Sequence, residues 1–161
     1  HGEFADFDRC GFGAKPIQQP HPPIYFSGLK DPKRSATRIA TYGLHGWIGI
    51  QDTPEELQEW RTAIGQELSA LGTARTVDDL EMCSMIWFVI TDEETDQTPN
   101  GKLTNLLVGT AGQIIDNLKR YREAGLTMPL LWPPFQDVPV SKTLDDLKRL
   151  THEIMPKVEA M

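Results

Sequence analysis

The sequence predicts an α/β protein whose strands run parallel. Three observations predict it. Short apolar runs rich in β-branched and aromatic residues alternate with longer segments of helical period. Most of those segments open on a capping residue or close on glycine. No long hairpin signal joins one apolar run to the next, so right-handed crossovers are the expected connections. The length of 161 residues suits one ordinary domain, and 39% hydrophobic with 24% charged residues is the balance of a folded globular chain.

The first 23 residues are rich in Gly, Pro and aromatics and end in Gln19-Pro20-His21-Pro22-Pro23. Proline donates no backbone hydrogen bond and holds its predecessor extended, so this reads as an irregular lead-in with one short hairpin near Gly11 to Gly13. Ile24 to Phe26 form the first strand. A helix is expected from Lys33 to Tyr42, with Ala36, Ile39 and Ala40 on one face and Gly43 as its stop. Gly46 to Ile50 form the second strand. Thr53-Pro54-Glu55-Glu56 combines a capping threonine, a proline at the first helical position and a returning glutamate. Leu57, Trp60, Ile64, Leu68 and Leu71 then mark a helix that Gly72 ends. Gly65 within it costs about 1 kcal/mol and is expected to face a close neighbour.

Residues 80 to 90 make the third strand, and the polar stretch from Thr91 to Lys102 reads as a loop. Thr110 caps a helix carrying Ile114, Ile115, Leu118 and Tyr121, stopped by Gly125. Thr127 to Trp132 form the fourth strand, where Pro129 is awkward. After Pro133-Pro134, Thr143 opens a last helix that Pro156 is expected to kink or end near His152. The order is four strand-helix units.

Charge and motif spacing exclude several functions. A net charge of −7, from 23 acidic and 16 basic residues, opposes nonspecific binding to nucleic acid. No apolar run approaches the ~18 residues of a membrane span. Cys10 and Cys83 lie far apart, so a reducing cytoplasm is expected, and the four histidines lack a metal-ligand spacing. Nothing near His1 reads as a signal peptide. No motif supports Ser-His-Asp or Cys-His catalysis.

The segment Pro16-Ile17-Gln18-Gln19-Pro20-His21-Pro22-Pro23-Ile24-Tyr25-Phe26-Ser27-Gly28 resembles the luciferase-like flavin-dependent monooxygenases, a group that includes F420-dependent oxidoreductases. The order downstream is similar too: Tyr42-Gly43, Gly46-Trp47, Thr53-Pro54-Glu55-Glu56-Leu57, Gly109-Thr110, Glu123-Ala124-Gly125 and Leu130-Leu131-Trp132. Three positions depart from the pattern: His45 stands where Asp is common, Ala111 where Pro is common, and Pro129 is unusual in the last strand.

The resemblance implies a (β/α)8 TIM barrel, of which this chain supplies about four βα units, the counterparts of strands five to eight. A complete barrel needs about 200 residues or more. It implies a lead-in over 1–23 and the C-terminal half of a barrel over 24–161. It further implies reduced FMN, or alternatively F420, as cofactor, with O2 and a small organic substrate. A flavin reductase and either a missing N-terminal half or a homo-oligomer are the implied partners. An isolated chain of this length is expected to be inactive. The alternative is a non-enzymatic half-barrel that binds or self-assembles through its open edges.

Ser27, Gly28, Arg34 and Ser35 are the candidate cofactor-binding residues, at a strand end and the following helix start. Free N–H groups and the helix dipole favour a phosphate there, and the resemblance places the flavin phosphate at this turn. The plainer reading is a strand-to-helix turn with a solvated basic face. Trp47, Gln51, Asp52, Thr91, Asp92 and Trp132 sit on or just after strands. Trp47 and Trp132 are candidate walls of an apolar pocket, although an aromatic on a strand is more often core. Asp52 reads as part of a helix-start loop rather than a general base. His21 and His45 read as structural. No residue set stands out as catalytic, which accords with a cofactor that carries the chemistry.

Overall fold

A computed structural model describes residues 2–8, 11, 13–27, 31–50, 52–96, 106–133 and 138–160. Among these residues five strands form one parallel sheet: β1 (Tyr25–Phe26), β2 (Gly46–Ile50), β3 (Glu81–Ile90), β4 (Leu106–Gly109) and β5 (Met128–Trp132). The helices are α1 (Pro32–Tyr42), α2 (Pro54–Ala70), α3 (Ala111–Glu123), α4 (Val140–Arg149) and α5 (Met155–Glu159).

The ten-residue β3 is the centre. Its first half pairs with β2 and its middle with β5. Trp87 stands opposite both Trp132 of β5 and Leu106 of β4, so β4 and β5 occupy opposite edges. β4 therefore continues the edge that β2 leaves after Met85. This strand is a correction to the reading of four strand-helix units, in which 106–109 had no element. Four residues carry too little local pattern, and the upper half of β3 supplies the partner.

Local signals decide the helix ends. Thr53 Oγ1 accepts from the Glu56 N–H at 3.2 Å and Glu56 returns a carboxylate to the Thr53 N–H at 2.8 Å. Thr110 and Gln113 make the same reciprocal pair at 3.3 and 3.1 Å. α1 begins at Pro32, one residue before the expected Lys33, because Asp31 caps it by accepting the Arg34 N–H at 2.9 Å. Gly65 lies against Val77, whose methyl carbon would stand 3.3 Å from an added Cβ, so the close neighbour is real. The last helix starts at Val140 rather than Thr143. A π-helical turn over Leu150–Ile154 breaks it before α5, with Pro156 in the first turn beyond. The wider turn makes room for the proline ring, which would otherwise meet the His152 carbonyl. Among the described residues near Gly11 and Gly13 there is no strand.

Residues paired in parallel register point to the same side of a sheet. On one side Phe26, Trp47, Met82, Ile86, Phe88 and Leu131 pack with Ile39, Leu57, Ile64, Leu68 and Ile114 of the helices into one core. On the other side Ile48, Ile50, Met85, Trp87, Leu130 and Trp132 stay outside that core and are half-buried or exposed. Pro129 is built into β5 opposite Ser84. Among the described residues no helix is long and apolar enough to cross a membrane.

His45, the departure noted before Gly46-Trp47, has a structural task. Its Nδ1 accepts the Ile24 N–H at 3.2 Å while its own N–H donates to the Ile24 carbonyl at 2.8 Å. His21 packs edge-on against it at 5.6 Å, and its Nδ1 lies 2.8 Å from the Pro22 carbonyl. His45→Ala is expected to lower stability by about 0.5–1 kcal/mol, the worth of one exposed hydrogen bond. His45→Asp, which restores an acceptor, should recover most of it. Urea unfolding of the two variants side by side checks this, and equal losses would assign the effect to packing.

Candidate functional site

All five strands run the same way, so their carboxyl ends gather at one edge of the sheet, where parallel α/β proteins build their sites. Ser27, Asp52, Thr91, Asp92, Thr110 and Trp132 stand at or just beyond those ends. Gly28 and Gln51 lie outside the described residues.

The turn between β1 and α1 carries three of the four candidate anchors. Ser27 and Arg34 are exposed. The Arg34 guanidinium has no partner among the described residues, whereas its backbone N–H is taken by Asp31. Ser35 is fully buried, and its hydroxyl donates to the Asp31 carbonyl at 3.0 Å. The structure thus separates the candidates. Ser27 and Arg34 present a hydroxyl and a cation to solvent, while Ser35 ties down the first turn of the helix. The Asp31 carboxylate already occupies one of the N–H groups that an anion would use, and its charge opposes an anion.

Trp47 is not a pocket wall. It is 2% exposed and stacks on Trp60 with ring centres 5.3 Å apart, between the sheet and α2. Trp132 is 40% exposed on the other face, edge-on to Trp87 at 6.0 Å. Trp87 escaped the sequence reading because nothing in an apolar run tells which residues face the helices. Register decides that parity.

Asp52 is buried, and its carbonyl accepts from the Tyr121 hydroxyl at 2.9 Å. Its carboxyl folds back beneath the end of β2, into the space beside Gly49 and the Trp47 ring, where Oδ2 has no hydrogen-bond partner among the described residues. Burial, reinforced by the Glu56 charge, pushes this acid up to about 6. Burial also raises the Tyr121 hydroxyl well above its usual range, with the Asp52 charge acting the same way.

The acidic stretch after β3 is tethered rather than free. Asp92 pairs with Arg149 at 3.0 Å, and Thr95 Oγ1 donates to the Val108 carbonyl at 2.6 Å. Gln113 both accepts from the Thr95 N–H and donates to its carbonyl. At the very end of β3, Lys142 donates to the Ile90 carbonyl at 2.6 Å and pairs with the buried Asp146. Lys142 and Asp146 were missed in the sequence, although their i,i+4 spacing on a helix is the signal that could have found them.

At the strands' other end the Tyr25 hydroxyl donates to Glu81, a bond that pushes the phenol up to about 12. Cys83, buried on that face, is pushed up to about 11 by burial and by the Glu81 charge, which leaves it a protonated, unreactive thiol.

No protein-family model matches the chain, and no curated protein sequence matches it. Solved structures do. An F420-dependent secondary alcohol dehydrogenase in complex with an F420-acetone adduct matches with a TM-score of 0.66 and 17% identity, over 98% of this chain and 55% of that one. The monooxygenase RslO1 from Streptomyces bottropensis matches with a TM-score of 0.62 and 17% identity, over 87% of this chain and 49% of that one. A riboflavin lyase with modified FMN and riboflavin matches with a TM-score of 0.60 and 15% identity, over 87% and 43%. The fold is therefore that of about half a (β/α)8 barrel, the architecture that the resemblance over residues 16 to 28 implied. The chain spans about half the length of the structures it matches.

Proposed function

We propose that this chain is the C-terminal half of a flavin- or F420-dependent oxidoreductase, a barrel in which the cofactor phosphate docks at the β1–α1 turn. The observation that carries the reading is the superposition of 98% of the chain on half of an F420-dependent alcohol dehydrogenase. Residues 24–161 form the half-barrel and 1–23 its lead-in. A monooxygenase using reduced FMN and O2 on a small organic substrate is the form of the activity supported by the motif at 16 to 28; F420 is the alternative cofactor. A flavin reductase would supply the reduced flavin, and the cytoplasm is the compartment proposed.

The residues present fit such a group in part. Arg34, exposed and without a side-chain partner among the described residues, would pair its charge with the phosphate, and Ser27 would donate a hydroxyl. Ser35 shapes the turn through its bond to Asp31. Gly28, outside the described residues, would allow close backbone approach. When bound, the reduced cofactor would supply the electrons for the reaction. Ile50, Trp87, Leu130 and Trp132 would give the site an apolar wall, able to exclude water once the other half of the barrel covers it. Asp52 is turned away beneath β2, so its carboxyl stands outside that wall and takes no part in proton transfer at the site.

Titration of the chain with FMN, riboflavin and F420, followed by tryptophan fluorescence, tests the reading. FMN should bind more tightly than riboflavin, which lacks the phosphate. Arg34→Ala should weaken FMN about tenfold, which corresponds to ~1.4 kcal/mol, and leave riboflavin unchanged. Equal binding of FMN and riboflavin to the parent chain would remove Arg34 from the site. An absence of saturable binding of FMN and F420 by a chain joined to a complementary half would overturn the cofactor assignment itself.

A further inference from the structure

We propose that a cavity at the amino ends of β3 and β5 binds a small zwitterion with an aliphatic body, of the amino acid or dipeptide class. The cavity holds about 610 Å³, within the range of small-molecule sites. It lies on the helix side of the sheet, at the end opposite the β1–α1 turn. Its walls come from α2, the turn at Val77–Asp79, α3, β5 and α5. Pro129 faces this side from β5, while its neighbours Leu130 and Trp132 alternate with the helix-facing positions. The inference therefore stands whether or not the chain holds a flavin.

The lining selects the ligand. Leu80, Leu118 and Leu126 are buried and make an aliphatic floor, with Val77, Pro129 and Val158 half-buried around it. Four charged residues stand at the rim, and two of them are already matched. Gly125, at φ +98°, has no side chain, and a Cβ there would overlap Arg61 Cδ. The Arg61 stem therefore lies across Gly125, and its guanidinium donates to Asp78. The Thr127 hydroxyl is also committed, accepting from the Met82 N–H at 2.9 Å and donating to its carbonyl at 3.2 Å. That leaves Arg122 and Glu159. Both are exposed, and among the described residues neither side chain has a hydrogen bond or ion pair, with the other or elsewhere. Opposite charges that share a rim without pairing suit a ligand that carries both signs. Its carboxylate would meet the Arg122 guanidinium and its ammonium would meet Glu159. A simple anion fits less well, because Asp78, Glu159 and the carbonyl end of α3 oppose it. A simple cation meets Arg61 and Arg122.

Calorimetric titration of the chain with L-leucine and with L-leucyl-L-leucine, which hold their charges different distances apart, tests the proposal. At least one of the two is expected to bind saturably at a single site. The same probe without its ammonium, or with its carboxylate converted to the amide, should bind about tenfold more weakly, the loss of one charge-assisted bond. Arg122→Gln should weaken the zwitterion about tenfold and leave the amide form unchanged. Glu159→Gln should weaken the zwitterion to a similar degree and leave the form without ammonium unchanged. Both side chains are exposed, so each variant should keep the helical circular dichroism of the parent. No saturable binding of either probe would overturn the proposal. So would a singly charged form that binds as tightly as the zwitterion, or folded variants that both bind it as the parent does. A chain that binds the zwitterion but neither FMN nor F420 would leave this site standing and sink the cofactor reading alone.

Discussion

Gly46→Ala should destabilise the chain by about 3 kcal/mol, the largest loss expected from adding a single methyl group here. Gly46 lies in β2 directly opposite Glu81 of β3 and beside Tyr25 of β1. A Cβ built on it would overlap the Glu81 carbonyl oxygen and stand 2.8 Å from a Tyr25 ring carbon. The tyrosine can rotate away, but the carbonyl belongs to the sheet backbone, so relief requires β2 to separate from β3. That separation would disturb the sheet along both its neighbours, and the Tyr25–Glu81 bond with it. Gly112→Ala is the matched control. Its added methyl meets nothing closer than Thr110 Oγ1 at 3.8 Å, and within α3 alanine should stabilise by about 0.5–1 kcal/mol. Urea unfolding at fixed protein concentration should move the two midpoints in opposite directions with a similar slope. If Gly46→Ala shifted the midpoint no further than a surface substitution, the close approach of β2 and β3 would be wrong.

Which features the sequence made legible follows from how local their causes are. The start of α2 was plain because Thr53, Pro54 and Glu56 build the cap among themselves. α3 was legible for the same reason through Thr110, although its returning partner is Gln113. The start of α1 was misplaced by one residue because Asp31 was not recognised as its cap. That same residue changes the phosphate argument, since it takes an N–H that the sequence left open. β4 was not legible because its four residues become a strand only against the far half of β3. Trp47 and Trp87 look alike in sequence, yet pairing opposite Met82 turns the first into the core, and pairing opposite Trp132 turns the second to the open face. The apolar wall of the site was thus visible as composition but not as geometry.

Asp52→Asn is expected to stabilise the chain at neutral pH by on the order of 2 kcal/mol, and to do so less and less as the pH falls. The sign follows from where the proton is held. The folded chain keeps this acid protonated up to about 6, whereas its ordinary value is 3.8. Below about pH 4 the group is neutral in both states and contributes no penalty. Between about pH 4 and 6 the unfolded chain releases the proton while the folded chain retains it, so this group makes stability fall as pH rises. Above about 6 the carboxylate is charged in both states, and the full cost of burying it beside Gly49 and the Trp47 ring persists. Asparagine has the size of the neutral acid and never ionises. The variant should therefore unfold at a higher urea concentration than the parent at pH 7.5 and nearly with it at pH 4. Exposed carboxylates such as Glu55, which the backbone N–H at the start of α2 and then Arg120 hold below their usual range, act in the opposite direction in both proteins. They cancel in the difference between parent and variant, which isolates Asp52. A difference that does not change with pH would mean the carboxyl is solvated at the mouth, with both oxygens free to meet a substrate.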